Sequence, residues 1–220
     1  MKKNAVILAF AAFVVQAHAQ YTVSLKVDID NDSRSNLINN GGKYDNSELR
    51  IYDSSFEIAP SFGYELEDWE VGVELGIYHS TYKSRNYITG DLDNDKSFSF
   101  SPSVYGRRNF GLTDKLNLFA ECKLGMSFDK ATDPVNDYDK SFGVFLSAYP
   151  GVSYQLTDNF VLEAFFNYPE LYFYTGRTSH YDSNDNLVGD GSSRTYFSLR
   201  PIDNFRDLMY GISLGISYCF

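Results

Sequence analysis

The chain is poor in several residue types that usually announce a function. Its 220 residues hold six prolines, three histidines, two cysteines and one tryptophan. Two cysteines cannot build a disulfide framework. Three histidines leave little material for a metal centre or an acid–base pair. Positive charge is also short, at 19 Lys+Arg against 29 Asp+Glu, a formal net charge of −10. Phosphate contacts need a basic face, so a nucleic-acid partner is excluded. Long apolar runs are missing beyond the first twenty residues, so no helix is positioned to span a membrane. Rings, by contrast, are abundant: 18 Tyr and 18 Phe bring the aromatic share to 17%. The mean hydropathy is nevertheless negative, at −0.32. Such a chain is not intrinsically disordered, and its rings need somewhere to go.

The first residues form an export leader. Lys2 and Lys3 supply a positive start, Ala5 to Val15 an apolar stretch, and Ala17-His18-Ala19 the small residues that a signal peptidase reads. Cleavage is expected before Gln20, giving residues 1–19 as signal peptide and residues 20–220 as one mature domain. Loss of Lys2 and Lys3 takes the net charge from −10 to −12.

Beyond residue 20 the pattern has period two. In the last stretch Leu208, Tyr210, Ile212, Leu214, Ile216, Tyr218 and Phe220 alternate with Met209, Gly211, Ser213, Gly215, Ser217 and Cys219. A strand presents successive side chains on opposite faces, so this is a two-faced strand. The same alternation occupies residues 21–29, 56–66, 69–78, 98–107, 116–128, 142–154 and 160–168. Eight strands result. Their connections alternate too. Glu67-Asp68, Gly111 to Lys115 and Leu156 to Asn159 are short. Asn31 to Arg50, Lys83 to Lys96, Asp129 to Lys140 and Pro169 to Asp207 are long and polar. The fold expected is all-β, an eight-stranded antiparallel up-and-down transmembrane β-barrel, with short turns at the periplasmic end and long loops outside. Pro60, Pro102 and Pro150 each precede a short turn and are expected to mark bulges.

The apolar face must be the outer one. Its side chains are too many and too large for the lumen of a small barrel. The opposite face, mostly Gly and Ser with a few charges, suits a narrow interior. Rings near strand ends, among them Tyr21, Tyr64, Trp69, Phe110, Phe128, Phe142, Tyr154, Phe160, Tyr168 and Tyr218, then form interfacial girdles against outer-membrane lipid. Cys122 and Cys219 fall on opposite faces and stay free thiols.

Pro60…Gly63-Tyr-Glu-Leu-Glu-Asp-Trp-Glu-Val-Gly72, its echo Pro150-Gly-Val-Ser-Tyr-Gln-Leu-Thr-Asp-Asn159 and the terminal Tyr218-Cys-Phe220 resemble the small eight-stranded outer-membrane β-barrel proteins of the porin family, OmpX-like or OmpA-barrel-like. The resemblance spans the mature chain. It implies outer-membrane localisation after Sec-type export. It also implies that Tyr218 and Phe220 form a C-terminal assembly signal for the insertion machinery.

The lumen-facing set carries Lys26, Glu57, Glu65, Glu70, Glu74, Arg107, Glu121, Lys123 and Glu163. A buried charge needs a partner. The expectation is a Glu74–Arg107–Glu121 cluster with Lys26, Lys123 and Glu163 near it, acting as a plug or a gate. No catalytic, cofactor or metal site is expected. Lipid A-modifying enzymes share this architecture and use His with Ser and an acidic group. Here His79 and His180 lie far apart in the sequence, and no carboxylate is set to orient His79. Asp91-Leu-Asp93-Asn-Asp95 has calcium-loop spacing, but Lys96 replaces the turn glycine and Pro102 the bidentate Glu; Asp182-Ser-Asn184-Asp-Asn186 is also incomplete. The role expected is structural or surface-interacting and non-enzymatic. Extracellular ligands or a host surface would be met through the loops, especially Thr175 to Arg206 with Tyr172, Phe173, Tyr174, Tyr181 and Tyr196. The alternative is a small porin or passive channel. The mature protein should migrate faster unheated than boiled on a denaturing gel, and its intact mass should begin at Gln20.

Overall fold

The computed structural model describes residues 20–36, 39–40, 43–44, 49–85, 92–132, 137–166, 169–188, 191–201 and 212–220. The leader, residues 1–19, lies outside them. The strands are β1 (Tyr21–Asn36), β2 (Asn39–Asn40), β3 (Lys43–Tyr44), β4 (Leu49–Leu66), β5 (Trp69–Arg85), β6 (Leu92–Gly111), β7 (Leu116–Thr132), β8 (Tyr138–Gln155), β9 (Phe160–Phe166), β10 (Glu170–Tyr181), β11 (Ser192–Arg200) and β12 (Ile212–Cys219). β2 and β3 pair only with each other. The rest form one antiparallel sheet that closes when β9 pairs with β8. β9 and β10 follow each other along β8 as one stave, and β11 and β12 supply the stave beside it. The barrel therefore has eight staves, wound up and down. Through the described stretch of closure β8, β9, β12 and the first half of β1 each pair on both sides, as lipid requires of backbone groups.

Two of the short turns are built alike. Leu112 and Leu156 each donate their N–H to the carbonyl four residues on, at 2.9 and 2.8 Å. Thr113 and Thr157 accept from the N–H of Leu116 and Phe160, at 3.0 and 3.1 Å, so the hydroxyl finishes each turn. At the other end the strands run further than their apolar pattern. Most of the stretch expected as the longest loop is the β10–β11 hairpin, and β1, β4, β5 and β6 also extend past the expected limits. Apolar alternation reports lipid contact and stops where lipid stops. The backbone ladder continues into water without it.

The prolines also depart from expectation. Ile58↔Ile77 and Ser61↔Glu74 share one register on either side of Pro60, and Phe100↔Phe128 and Ser103↔Gly125 do so around Pro102. No residue is inserted. Proline withholds a donor there without bulging the strand. Near Pro150 the register does change. Gly151 faces Phe165 on β9, whereas Ala148 faces Leu171 on β10, a shift of three residues taken up by the partner stave.

Alternation places Val73, Leu124 and Leu214 more than half exposed on the outer wall, while Thr22, Ser213 and Ser217 are buried within. The thiols separate accordingly, with Cys122 exposed and Cys219 half-buried beside Thr22 and Glu65. Inward glycines make room for inward rings. A Cβ on Gly125 would stand 2.5 Å from Phe145, and one on Gly72 would stand 2.6 Å from the Tyr105 ring. Gly72→Val should therefore abolish the fast-migrating folded form, because the added atoms would collide with the Phe62 backbone carbonyl, 2.4 Å from the new Cβ, as well as with Tyr105. Cys122 should react with a lipid-soluble maleimide in intact membranes and resist a charged one.

Candidate functional site

The barrel interior is crossed by a buried charge network centred on Arg107. Arg107 sits on β6 directly opposite Glu70 of β5 and Glu121 of β7. Its Nε donates to Glu121 Oε2 at 2.8 Å and its Nη2 lies 2.7 Å from the same oxygen. Its Nη1 donates to Glu163, which reaches across from β9, and lies 3.4 Å from Glu70. All four side chains are at most 6% exposed.

Lys123, two residues along from Glu121 on the same inward face, continues the network. Its Nζ donates to both oxygens of Glu74, at 2.5 and 2.6 Å, and lies 3.2 Å from Glu121. Two tyrosines complete it: Tyr105 donates to Glu70 at 2.5 Å and Tyr149 donates to Glu121. The cations are also covered by rings. The Arg107 guanidinium stands 4.3 Å from the Phe119 ring centre, and Phe119, Tyr149 and Phe165 form a buried aromatic group. Ion pairs of this depth persist only when every charge is met by hydrogen bonds, and here rings exclude the competing water.

All six expected residues lie in or beside this network, but two pairings differ from expectation. Glu74 belongs to Lys123, and Glu70 takes the place beside Arg107. Barrel staves are staggered by shear, so equal distance from the short turns does not mean equal depth in the lumen, and Glu70 rather than Glu74 comes level with Arg107. β5 and β6 are joined at the far end, so their register is invisible at the turns. Lys26 is held by aromatic faces, with Nζ 5.2 Å from the Phe165 centre and 5.5 Å from Tyr149.

Above Lys123 and Tyr149, toward the long-loop end, the lumen widens into a cavity of about 920 Å³ among the described residues. Tyr172, Tyr174, Tyr196 and Phe145 line one side, and Glu57, Ser99 and Ser101 lie among the remaining lining residues. Tyr172 and Tyr174 each stand within 6 Å of Tyr196. The three tyrosines, expected in or near the longest loop, are on the inner wall, whereas Phe173 faces out and Tyr181 stacks on Tyr138 at 5.1 Å.

At the rim His180 Nδ1 lies 2.6 Å from Asp139, a carboxylate its sequence neighbours did not reveal because it comes from the opposite strand. His79 is exposed on β5, opposite Phe56 and Phe98. Asp182 spends its carboxylate on the Asn186 side chain and the N–H groups of Asn184 and Asn186, which hold it below the usual carboxylate range. Of the other calcium-like segment, residues 92–95 belong to β6 and are paired with β5, so they form no loop. Among the described residues no three His, Cys, Asp or Glu side chains gather as a metal site.

Comparison with known proteins adds one family and a set of distant structures. No curated protein matches the chain. Neisserial surface protein A is 16% identical over 93% of this chain and 100% of its own, with a TM-score of 0.38. A major outer membrane protein of Thermus thermophilus is 14% identical over 93% and 100%, with a TM-score of 0.46. The attachment invasion locus protein of Yersinia pestis is 14% identical over 93% and 100%, with a TM-score of 0.36. The model of the outer membrane protein beta-barrel domain matches residues 5–195. With most of its length matched, the chain belongs to the outer membrane protein beta-barrel domain family.

Proposed function

We propose that this outer-membrane barrel is a non-enzymatic surface-interaction protein whose lumen is closed, so that its work is done at the extracellular end. The observation that carries this reading is the Arg107 network. It draws charges from β5, β6, β7 and β9 onto one guanidinium and seals the gaps with Phe119 and Phe165. What lies above is a blind, polar and aromatic vestibule that can receive part of a ligand without passing it on. Residues 1–19 are the Sec-type leader of this protein and residues 20–220 its barrel. Tyr218 and Phe220, which stack at 4.8 Å at the end of the closing stave, are the signal for the insertion machinery.

The channel alternative requires the network to part. Purified wild-type protein in planar bilayers should show no stable conductance, and a steady ohmic current would overturn the plug. Arg107→Ala should open a leak that prefers cations. Glu70, Glu121 and Glu163 would then face the lumen without their cation, and Glu163 already has an oxygen with no hydrogen-bond partner among the described residues. The same substitution should cost about 3–5 kcal/mol in urea unfolding followed by gel migration, the usual penalty for stripping one partner from a buried pair. Glu121→Gln keeps the shape of the site and should conduct less than Arg107→Ala.

A further inference from the structure

The outer face of the upper barrel carries charge of one sign, whereas the inner face carries carboxylates with Arg194 among them. Outward positions carry Lys83 on β5, Lys96 on β6, Lys130 on β7, Lys140 on β8 and Arg177 on β10, all exposed. The carboxylates of the same levels, including Asp28, Glu57, Asp129, Asp139 and Glu170, occupy the inward alternation. Among the described side chains, no carboxylate faces out in these segments. For a protein of net charge −10 this is a pronounced segregation.

The centre of the belt is electrostatically incomplete. Lys130 and Lys140 are direct cross-strand partners. Like charges so placed repel, with their Cβ atoms about 5 Å apart. Among the described residues neither lysine nor Arg177 is ion-paired; the lysines lean on the rings of Tyr138 and Tyr181, at 4.4 to 5.1 Å. Immediately below lies the aromatic row. Phe98 is opposite Lys130, Phe142 is opposite Arg177, and Phe128 stands 5.2 Å from Phe142. Phe98, Phe128, Lys130, Lys140, Phe142 and Arg177 line an outward groove of about 480 Å³, and the inward-pointing Asp129 also contributes to its lining.

We propose that this groove is a docking site for a phosphorylated, acylated glycolipid of the lipid A class in the outer leaflet. The two lysines and Arg177 would take phosphate, and the phenylalanine row would take acyl chain. Level with the headgroups, a cation on the outer wall incurs little penalty from lipid. An anionic oxygen between Lys130 and Lys140 removes their repulsion through charge-assisted hydrogen bonds. From Lys96 on β6 to Arg177 on β10 the belt crosses three strand spacings, about 14 Å. That width suits one headgroup with phosphates at both ends better than a single phosphodiester.

The test is titration of the refolded full-length mature barrel in neutral micelles, read by native mass spectrometry. The probes are diphosphoryl lipid A, its dephosphorylated form, phosphatidylglycerol and inorganic phosphate. One diphosphoryl lipid A should bind at least tenfold tighter than either other lipid, more weakly as salt rises, and millimolar phosphate should not displace it. The Lys130→Gln, Lys140→Gln double variant should lose at least tenfold, whereas Lys130→Arg, Lys140→Arg should retain binding. Gel migration confirms that both variants fold. Equal binding of phosphorylated and dephosphorylated lipid, or unchanged binding by the glutamine variant, would overturn the site. Equal affinity for phosphatidylglycerol would overturn the glycolipid as its occupant, and displacement by phosphate would make it a plain anion site.

Discussion

A backbone N–H in hydrocarbon has no water to bond, and every feature of this protein follows from that. The only strand arrangement that satisfies all such groups is a closed one. Closure with eight staves gives an interior about as wide as the side chains that fill it. One residue in two must then suit lipid and the next must suit a tight polar core. This is why a chain of negative mean hydropathy can carry so many rings. Among the described residues most of them are the protein's exterior, and several of the inward ones, Tyr105, Phe119, Phe145, Phe165 and Tyr174 among them, lie over glycines that leave them space.

The same narrowness dictates the charge network. An interior of Gly and Ser alone would leave voids or water, and a lone ion there would be costly. A guanidinium offers five donors in a plane, enough to bind carboxylates from several staves at once. Lysine at position 107 could not hold that geometry. The four carboxylates Glu70, Glu74, Glu121 and Glu163 face three cations, Arg107, Lys123 and the ring-held Lys26, so the core carries a small formal excess of negative charge.

The barrel was legible from the sequence because alternation is local, needing only the residues of one strand. Strand number, turn ends and the outward face of each stave all follow from it. The pairing of charges is not local. Whether Glu70 or Glu74 meets Arg107 depends on the stagger between staves joined at their far ends, and no spacing within the chain encodes it. His180 and Asp139 were hidden for the same reason. The inward turn of Tyr172, Tyr174 and Tyr196 was hidden differently: parity was present there, but the polar run that follows Tyr174, from Thr175 to His180, gave the segment the look of a loop. The outward lysines were legible in parity and carried no apolar signal to draw notice.

Alternation protects a barrel against only one kind of mistake. A stave that slips by one residue turns its greasy face inward and is rejected. A slip by two leaves every face correct and every backbone bond available, so hydrophobicity cannot detect it. The Glu70–Arg107–Glu121 row can, because it lies straight across three neighbouring staves and is complete only when all three are aligned. The buried ions are thus a vernier written into the fold, complete in one alignment among those that lipid alone would accept.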